Sequence, residues 1–507
     1  MSEQLEGTGI VTDAERLARG AVLQTGAQVV RLVGGSLVMA LLARQLTLGE
    51  YGTYQLILSQ LTYVMFLKAS VMNAAVVGVA NAGDDEDARG VVVSTGMVIY
   101  AAVGVISGLA LGAVGLAVLP LLNIAPDLYG EAQLSVIGLA LAVFLGWPAQ
   151  IFDDALRGLQ RFAAVSALEI GAMVAYLGGA VALVLTSAPL WALVTWTASI
   201  PLLQGLACVA ALRHLGVRLN VRRANVRRGE MRRFGGISGL FVLGGVADLA
   251  TYSIDRFLLS AIRSPRLVGL YEGPLQTQNM IRYLNGVMTS TVVPQATRYI
   301  ADDDRARSRE LFVKGIRYCY AAAMPFIVAL IVIPVPLVVA FLGPKYDQLG
   351  PAVALFASWW LIGTNNGLVG TMLFTAGRLK RIVVAQWVAA IITVALTAAL
   401  TGRYGIYGPI VGSMVGFGAS TAILFPLALR TFDVRLGELA RQAWLPAFST
   451  GAGLAAVLAL VRGPLGLDRP LAGVIALIVG AALFWAAYAL LWFGPDERSL
   501  VRRTLGL

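Results

Sequence analysis

Long apolar runs, separated by short charged or Pro/Gly-rich breaks, dominate the chain. A helix needs about 20 apolar residues to cross roughly 30 Å of hydrocarbon. The pattern therefore predicts an all-α integral membrane protein with about fourteen transmembrane helices. The predicted spans are residues 20–43, 54–80, 91–122, 132–156, 163–186, 190–212, 235–262, 268–298, 313–342, 350–376, 382–402, 406–430, 441–461 and 471–493.

Composition supports this prediction and argues against an enzyme. Of the 507 residues, 58% are hydrophobic and only 13% are charged, whereas soluble proteins carry roughly a quarter charged residues. No G-x-x-x-x-G-K-[ST] loop, G-x-S-x-G elbow or H-E-x-x-H motif is present, so we expect neither direct ATP use nor catalysis. Cys208, Cys319 and the single histidine, His214, show no metal-site spacing, and we predict no cofactor. The chain begins with a polar, acidic segment, so we expect no cleaved signal peptide.

The distribution of basic residues predicts the orientation. With the N-terminus inside, the cytoplasmic segments hold about 27 of the 39 lysines and arginines, and the external segments about 7. Both termini are therefore predicted to be cytoplasmic, in a multi-pass cell membrane protein. The largest basic segment, RHLGVRLNVRRANVRRGEMRRF, predicts contact with anionic membrane lipid. The net charge of +11 needs no nucleic acid to explain it.

The basic segment separates two weakly similar halves of six predicted helices. Gly52 and Tyr54 match Gly269 and Tyr271 at a constant offset of 217 residues. Because both halves begin inside, the repeat is parallel, and such repeats predict a substrate path between the halves with alternating access. The predicted segments are a cytoplasmic tail (1–19), an N-lobe (20–214), a basic cytoplasmic loop (215–234), a C-lobe (235–430) and two extra helices with a cytoplasmic tail (431–507).

Four charged residues fall near the predicted mid-membrane level: Arg31, Lys68, Asp248 and Arg282. Charges at that depth are costly and mark functional sites by default. One interpretation is a water-filled cavity in which the three cations attract an anionic headgroup, with Asp248 as a counter-ion or as a proton or sodium site. The alternative is a structural pair of Arg31 with Asp248, which are equivalent by the repeat offset, and a snorkelling Lys68. For Glu169, two interpretations stay open: a charge in the cavity and a residue at the inner interface.

Uncharged polar residues in the predicted spans are candidate sugar contacts. Gln276, Gln278 and Asn279 lie in the eighth span, and Asn365 and Asn366 lie in the tenth. Amides also join helices by hydrogen bonds, and that alternative is slightly favoured for any single one. Charged residues nearer the span ends are predicted to snorkel to an interface, namely Asp153, Asp154, Asp255, Arg256, Glu272 and Arg317.

An ordered set of short motifs covers essentially the whole chain. ARQLTLGEYGTYQL leads into the second span, and the second half contains SIDRFLL, VGLYEGPLQ, VVPQATRYI, FLGPKYDQLGPAVALF, LFTAGRLKRIVVAQ and GRYGIYGPIVGS. In order and spacing these resemble the polysaccharide transporter family of the multidrug/oligosaccharidyl-lipid/polysaccharide exporter (MOP) superfamily, which includes the Wzx-type oligosaccharide flippases. The chain departs from the family pattern at Leu46 and Thr47, where a Leu-Gly pair is expected and the glycine is delayed to Gly49.

This resemblance implies a flippase that moves an isoprenoid-diphosphate-linked oligosaccharide from the inner to the outer leaflet for cell-surface polysaccharide biosynthesis. It also implies two six-helix lobes, an ion gradient of protons or sodium as the drive, and a polysaccharide polymerase and other export components as partners. Two alternatives stay open: an ion-coupled multidrug exporter of the same superfamily, and a flippase for a peptidoglycan lipid precursor. The motif residues fall at helix ends and are expected to be structural.

Overall fold

The computed structural model describes Gly26 and residues 30–31, 33–217, 219–235, 239–495 and 497–499, without the side chains of residues 63, 65–71, 73, 223, 232–243 and 290–291. This part of the chain forms helices and turns and no β-strand. Within the described residues, each predicted span coincides with one helix or with consecutive helices, although most of residues 20–32 of the first span lie outside this part of the chain. Nine helices among the described residues are individually long and apolar enough to cross a membrane. The all-α membrane fold is thereby confirmed.

The chain divides into two compact units, one up to residue 238 together with Ser264–Arg266, the other Gly239–Arg263 together with Leu267–Leu507. The helices of the first unit are α1 (Val33–Gln45), α2 (Leu48–Ala82), α3 (Glu86–Val118), α4 (Pro126–Gly146), α5 (Gln150–Gly158), α6 (Phe162–Leu185), α7 (Leu190–His214) and α8 (Arg228–Gly235).

The second unit contains the helices of six predicted spans and those of the C-terminal pair. They are α9 (Gly239–Tyr252), α10 (Ile254–Ile262), α11 (Pro265–Ala301), α12 (Arg305–Val332), α13 (Pro334–Leu342), α14 (Gly350–Ser358), α15 (Trp360–Gly363), α16 (Asn365–Thr375), α17 (Leu379–Tyr404), α18 (Tyr407–Thr431), α19 (Leu436–Leu439), α20 (Leu445–Arg462) and α21 (Pro470–Trp492). Helices α20 and α21 pack on α12 and α13, so the C-terminal pair shares the core of this unit.

Several predicted spans are broken into two or more helices. The ninth span breaks at Ile333, directly before Pro334, where φ is −127° and ψ is 52°. A residue before proline is disfavoured in the α region, and proline lacks the N–H that would continue the helix. The fourth span is interrupted at residues 147–149 around Pro148, although Trp147 itself keeps α-helical angles, with φ of −59° and ψ of −49°. The tenth is interrupted at Trp359 and Thr364, which separate α14, α15 and α16.

Left-handed turns show the internal repeat directly. Among the described residues, positive φ occurs in pairs that lie 217 to 220 positions apart. The pairs are Gly83 and Asp303, Asn123 and Gly343, Gln160 and Gly377, Ser187 and Gly405, and Gly216 and Asp433. The remaining case, Gly466, lies between α20 and α21, which have no counterpart in the first half. The spacing agrees with the offset of 217 read from the sequence.

The sequence motifs occupy turns and caps, which explains their residue types. Thr47, where the family pattern has glycine, is the N-cap of α2 and forms a capping box with Glu50. Its hydroxyl accepts from the Glu50 N–H at 3.2 Å, and the Glu50 carboxylate accepts from the Thr47 N–H at 2.8 Å. Gly377 of the AGRLK motif ends α16 with φ of 73°, a conformation that favours glycine.

Candidate functional site

A polar stripe on helix α11 forms one wall of a cavity inside the second unit. Gln278, Arg282, Asn285 and Thr289 follow one another at intervals of three or four residues, which places them on one face of the helix. The cavity that they line has a volume of about 510 Å³. Four consecutive polar positions along a membrane helix are costly unless they face water or a polar ligand, so this wall is the strongest candidate site of the second unit.

The other walls are mainly aromatic and come from three further parts of the unit. They consist of Tyr252 of α9, Phe417 of α18, and Trp359, Trp360, Gly363, Asn366, Gly367 and Thr371 of the broken tenth span. The rings of Tyr252 and Phe417 lie 5.1 Å apart, and those of Phe417 and Trp359 lie 6.1 Å apart in a stacked arrangement. The interruption of the tenth span at Trp359 thus brings two indoles to the cavity.

Arg282 is the cation of this cavity. Its guanidinium carbon lies 4.6 Å from the centroid of the Tyr252 ring, a cation–π geometry. Asp248 attracts Arg282 electrostatically. The hydrogen bond that Asp248 accepts comes instead from the Gln386 amide, at 3.0 Å. Among the described residues no carboxylate lies within salt-bridge distance of Arg282. The arginine is therefore held in place by an aromatic face while its charge is left for an anion.

The predicted sugar contacts separate into cavity residues and helix-joining residues. Gln278 and Asn366 line the cavity, and Asn366 accepts a hydrogen bond from Thr421 at 2.9 Å. Gln276 instead donates to Glu272 at 3.0 Å. Asn365 donates to the Tyr320 hydroxyl at 2.9 Å and accepts from the Trp444 indole at 3.4 Å, so its amide joins helices.

Asn279 is half-buried on α11 and is not among the cavity-lining residues. Asn285 was missed by the sequence analysis, although its spacing from Gln278 and Arg282 was available as a signal. The role of every candidate contact in substrate binding stays a prediction.

In the first unit, Arg31 belongs to a network of alternating charges. It donates to Glu169 at 3.2 Å, and Arg157 donates to the same carboxylate oxygen at 2.6 Å and to Asp153 at 3.1 Å. The Glu169 side chain is only 3% exposed, whereas that of Arg31 is 44% exposed. Arg31 therefore keeps an open side that is free for an anion. Lys68 lies within α2, but its side chain is outside the described part of the chain.

The prediction that the carboxylates near the span ends snorkel to an interface is wrong for several of them. Asp255 is 3% exposed and accepts hydrogen bonds from Tyr271 at 2.8 Å and Ser413 at 3.1 Å. Glu272 is fully buried and pairs with Arg256. Asp153 and Asp154 are also buried, and Asp154 accepts from the Tyr100 hydroxyl.

The position of a residue along its own helix does not decide whether its side chain is buried, because burial depends on the neighbouring helices. The hydroxyl and guanidinium groups of those helices solvate the carboxylates in place of water, which is how buried charges are normally accommodated. The described residues contain no cluster of His, Cys, Asp or Glu that resembles a metal site.

Solved structures similar to this chain are membrane transporters. A lipid II flippase, MurJ, in an inward closed conformation matches with a TM-score of 0.67 at 11% identity, over 95% of this chain and 100% of that one. An inward-facing multidrug resistance MATE family transporter of the MOP superfamily matches with a TM-score of 0.64 at 13% identity, over 82% and 98%.

A MOP superfamily transporter from Pyrococcus furiosus, described as having a binding pocket of reverse polarity, matches with a TM-score of 0.57 at 12% identity, over 82% and 95%. At these identities the similarities show the fold. No curated protein matches the chain.

The sequence model of a family described as polysaccharide biosynthesis protein matches residues 41–351, which is more than half of the chain and includes α2 to α13. The matched region contains the whole ARQLTLGEYG motif, the ion pair of Arg256 with Glu272, and the polar stripe of α11. The resemblance drawn from the motifs is thereby confirmed. This chain therefore has a fold similar to that of MOP superfamily transporters, and it belongs to the polysaccharide biosynthesis protein family.

Proposed function

We propose that this protein is a flippase that moves an isoprenoid-diphosphate-linked oligosaccharide from the inner to the outer leaflet of the cytoplasmic membrane, for the biosynthesis of a cell-surface polysaccharide. One observation carries the proposal: Arg282 lies in a cavity of about 510 Å³, has an aromatic support, and has no carboxylate at salt-bridge distance in the part of the chain that the structure describes. A membrane protein retains such a charge at the cost of its desolvation, and an anionic substrate offsets that cost.

The chemistry of the cavity suits a diphosphate attached to a polar headgroup. A guanidinium binds phosphate oxygens through two parallel hydrogen bonds, which an ammonium group does not do. Amide side chains beside it, at Gln278 and Asn366, offer donors and acceptors of the kind that hydroxyl groups need. In the first unit, the open side of Arg31 offers a second guanidinium for the same charge class.

The main alternative, export of cationic drugs, is less well supported by this cavity. A cationic drug would be repelled by Arg282, and Asp248 already accepts a hydrogen bond from Gln386. The match to a polysaccharide biosynthesis family supports saccharide transport, and the similar fold of a lipid II flippase supports a lipid-linked substrate. A peptidoglycan lipid precursor has the same diphosphate chemistry and is separated from other lipid-linked sugars by the experiment below.

The remaining parts of the proposal concern energy, orientation and partners. We infer transport without catalysis or a bound cofactor, with both termini in the cytoplasm. A proton or sodium gradient is proposed as the drive for alternating access, with Asp248 as the candidate ion-carrying group. A polysaccharide polymerase and other export components are expected partners, and anionic lipid is expected to contact the basic loop.

The test replaces Arg282 and Arg31 by alanine, singly and together, in cells whose chromosomal copy is deleted. Arg403→Ala is the matched control, because Arg403 also lies against a tyrosine ring, at 5.5 Å, but is exposed. We expect the Arg282 variant to lose most extracellular polysaccharide and to accumulate its lipid-linked precursor in the inner leaflet. Chemical analysis of that precursor distinguishes an oligosaccharide from a peptidoglycan intermediate. Normal export by the double variant at normal protein level would contradict the proposal.

A further inference from the structure

The amide of Asn285 is buried in the cavity wall with none of its hydrogen-bonding capacity used. Asn285 is 4% exposed, and neither its nitrogen Nδ2 nor its oxygen Oδ1 has a hydrogen-bond partner. Most buried polar groups in proteins are paired, and one left unpaired lowers stability. An amide that is retained without a partner on a cavity wall points to a ligand that supplies one.

We propose that Asn285 is a specificity-determining residue that binds a hydroxyl group of the sugar next to the diphosphate. This inference rests on the proposed function and assigns the cavity of the second unit to the saccharide headgroup. Asn285 follows Arg282 by three residues on α11, so their side chains leave the helix on the same face about 4.5 Å apart along its axis. In a sugar diphosphate the first sugar is bonded directly to the distal phosphate, so a phosphate at Arg282 places that sugar beside Asn285.

A second donor without a partner belongs to another residue that lines the same cavity. The indole nitrogen Nε1 of Trp360 is buried and has no partner, although tryptophan N–H groups usually find one when buried. Asn285 can both donate and accept, and Trp360 can only donate. A ring with several hydroxyl groups satisfies both, whereas an acyl chain satisfies neither.

Asn365 gives a comparison within the same unit. Asn365 is the same residue type in the same unit and equally buried, yet its amide is satisfied by Tyr320, Trp444 and the carbonyl of Ile362. The unit therefore pairs an asparagine fully where it joins helices. At Asn285 the polar partner is left to the contents of the cavity.

The experiment measures binding of two probes to purified protein in detergent. The first probe is the lipid-linked oligosaccharide that accumulates in cells lacking this protein, extracted from their membranes. The second is farnesyl diphosphate, which carries the anionic group without a sugar. For Asn285→Ala we expect affinity for the first probe to fall about tenfold or more, the effect of leaving a buried polar partner unpaired, while affinity for farnesyl diphosphate stays unchanged. Thr297→Ala, an exposed polar position on the same helix, should change neither value.

The other outcomes contradict either the proposed function or the role of Asn285. If the wild-type protein binds neither probe, the proposed function fails. If Asn285→Ala binds both probes as the wild type does, water alone satisfies the amide and this inference is overturned. If the substitution lowers the affinity for both probes equally, Asn285 shapes the cavity without recognising the sugar, and this inference is also overturned. Should the alanine variant fold poorly, Asn285→Leu, which is close in shape, removes both polar atoms and adds no charge, gives the same comparison.

Discussion

The guanidinium of Arg282 lies 4.6 Å from the centre of the Tyr252 ring, within one cavity of the second unit. The ring face carries a partial negative charge that attracts the cation without neutralising it. The Tyr252 ring also packs against the Phe417 ring, and this contact fixes its position. Among the described residues no carboxylate lies within salt-bridge distance of this arginine, so its charge is available to an anionic ligand. The pair therefore links the aromatic packing of the unit to its proposed anion binding.

Replacing Tyr252 by leucine should weaken export without abolishing it. The substitution removes the ring face, which contributes about 0.5–2 kcal/mol to holding a cation, and leaves an apolar side chain in its place. We expect polysaccharide output to fall several-fold at unchanged protein level. Tyr252→Phe keeps the ring and is the control. Equal output from the leucine and phenylalanine variants would contradict a positioning role for the ring.

Replacing Glu169 by glutamine should destabilise the first unit. The carboxylate is bonded to Arg31 at 3.2 Å and to Arg157 at 2.6 Å, and its loss leaves two guanidinium groups without their shared counter-charge. We expect a loss of about 1–3 kcal/mol, seen as a lower melting temperature in detergent. Asp84→Asn removes the exposed partner of Arg89 and should leave melting unchanged. Identical melting of all three proteins would show that the network adds no stability.

Replacing Gly412 by valine should disrupt the packing of α17 against α18. A β-carbon at Gly412 would lie 2.6 Å from the Thr397 hydroxyl and 3.0 Å from the Thr397 nitrogen, so backbone must move. Overpacking of this kind costs about 1–3 kcal/mol. The control is Gly453→Val on α20, where a β-carbon meets no atom within 4 Å. Thermal unfolding of the two variants, monitored by size-exclusion chromatography, distinguishes them, and an equally stable Gly412 variant would refute the close contact.

The contact between Glu497 and α12 should depend on pH. Partial burial favours the neutral acid, but hydrogen bonds from Tyr318 and the Gly494 N–H and the charge of Arg317 outweigh it, so the pKa of Glu497 is lowered. A lowered folded-state pKa stabilises the contact fully above the unfolded value of about 4.3, and this stabilisation is lost as the pH falls through the folded value.

We therefore expect proteases active at both pH values to cleave after α21 slowly at pH 7 and faster near pH 4. Glu497→Gln should be cleaved fast at both. Equal cleavage of the wild type and this variant at pH 7 would contradict the contact.

Hydrophobic length alone predicted the helical spans of the described residues, because crossing a bilayer requires a run of apolar residues that is visible in the sequence. The repeat was also readable, since Tyr54 and Tyr271 keep a constant offset, and the left-handed turns at Gln160 and Gly377 show the same 217 residues. Breaks such as Ile333 follow from the prolines that come after them. These features are local, and local sequence determines them.

The surroundings of each polar side chain were decided by the tertiary structure. Asp255 and Glu272 were expected at an interface, yet both are buried, because groups on other helices provide their hydrogen bonds. Asn365 and Asn285 look alike in the sequence, but one amide is satisfied by three neighbours and the other by none. Helical periodicity fixes which residues share a face, whereas only the packing of distant helices decides whether that face meets a partner or a cavity.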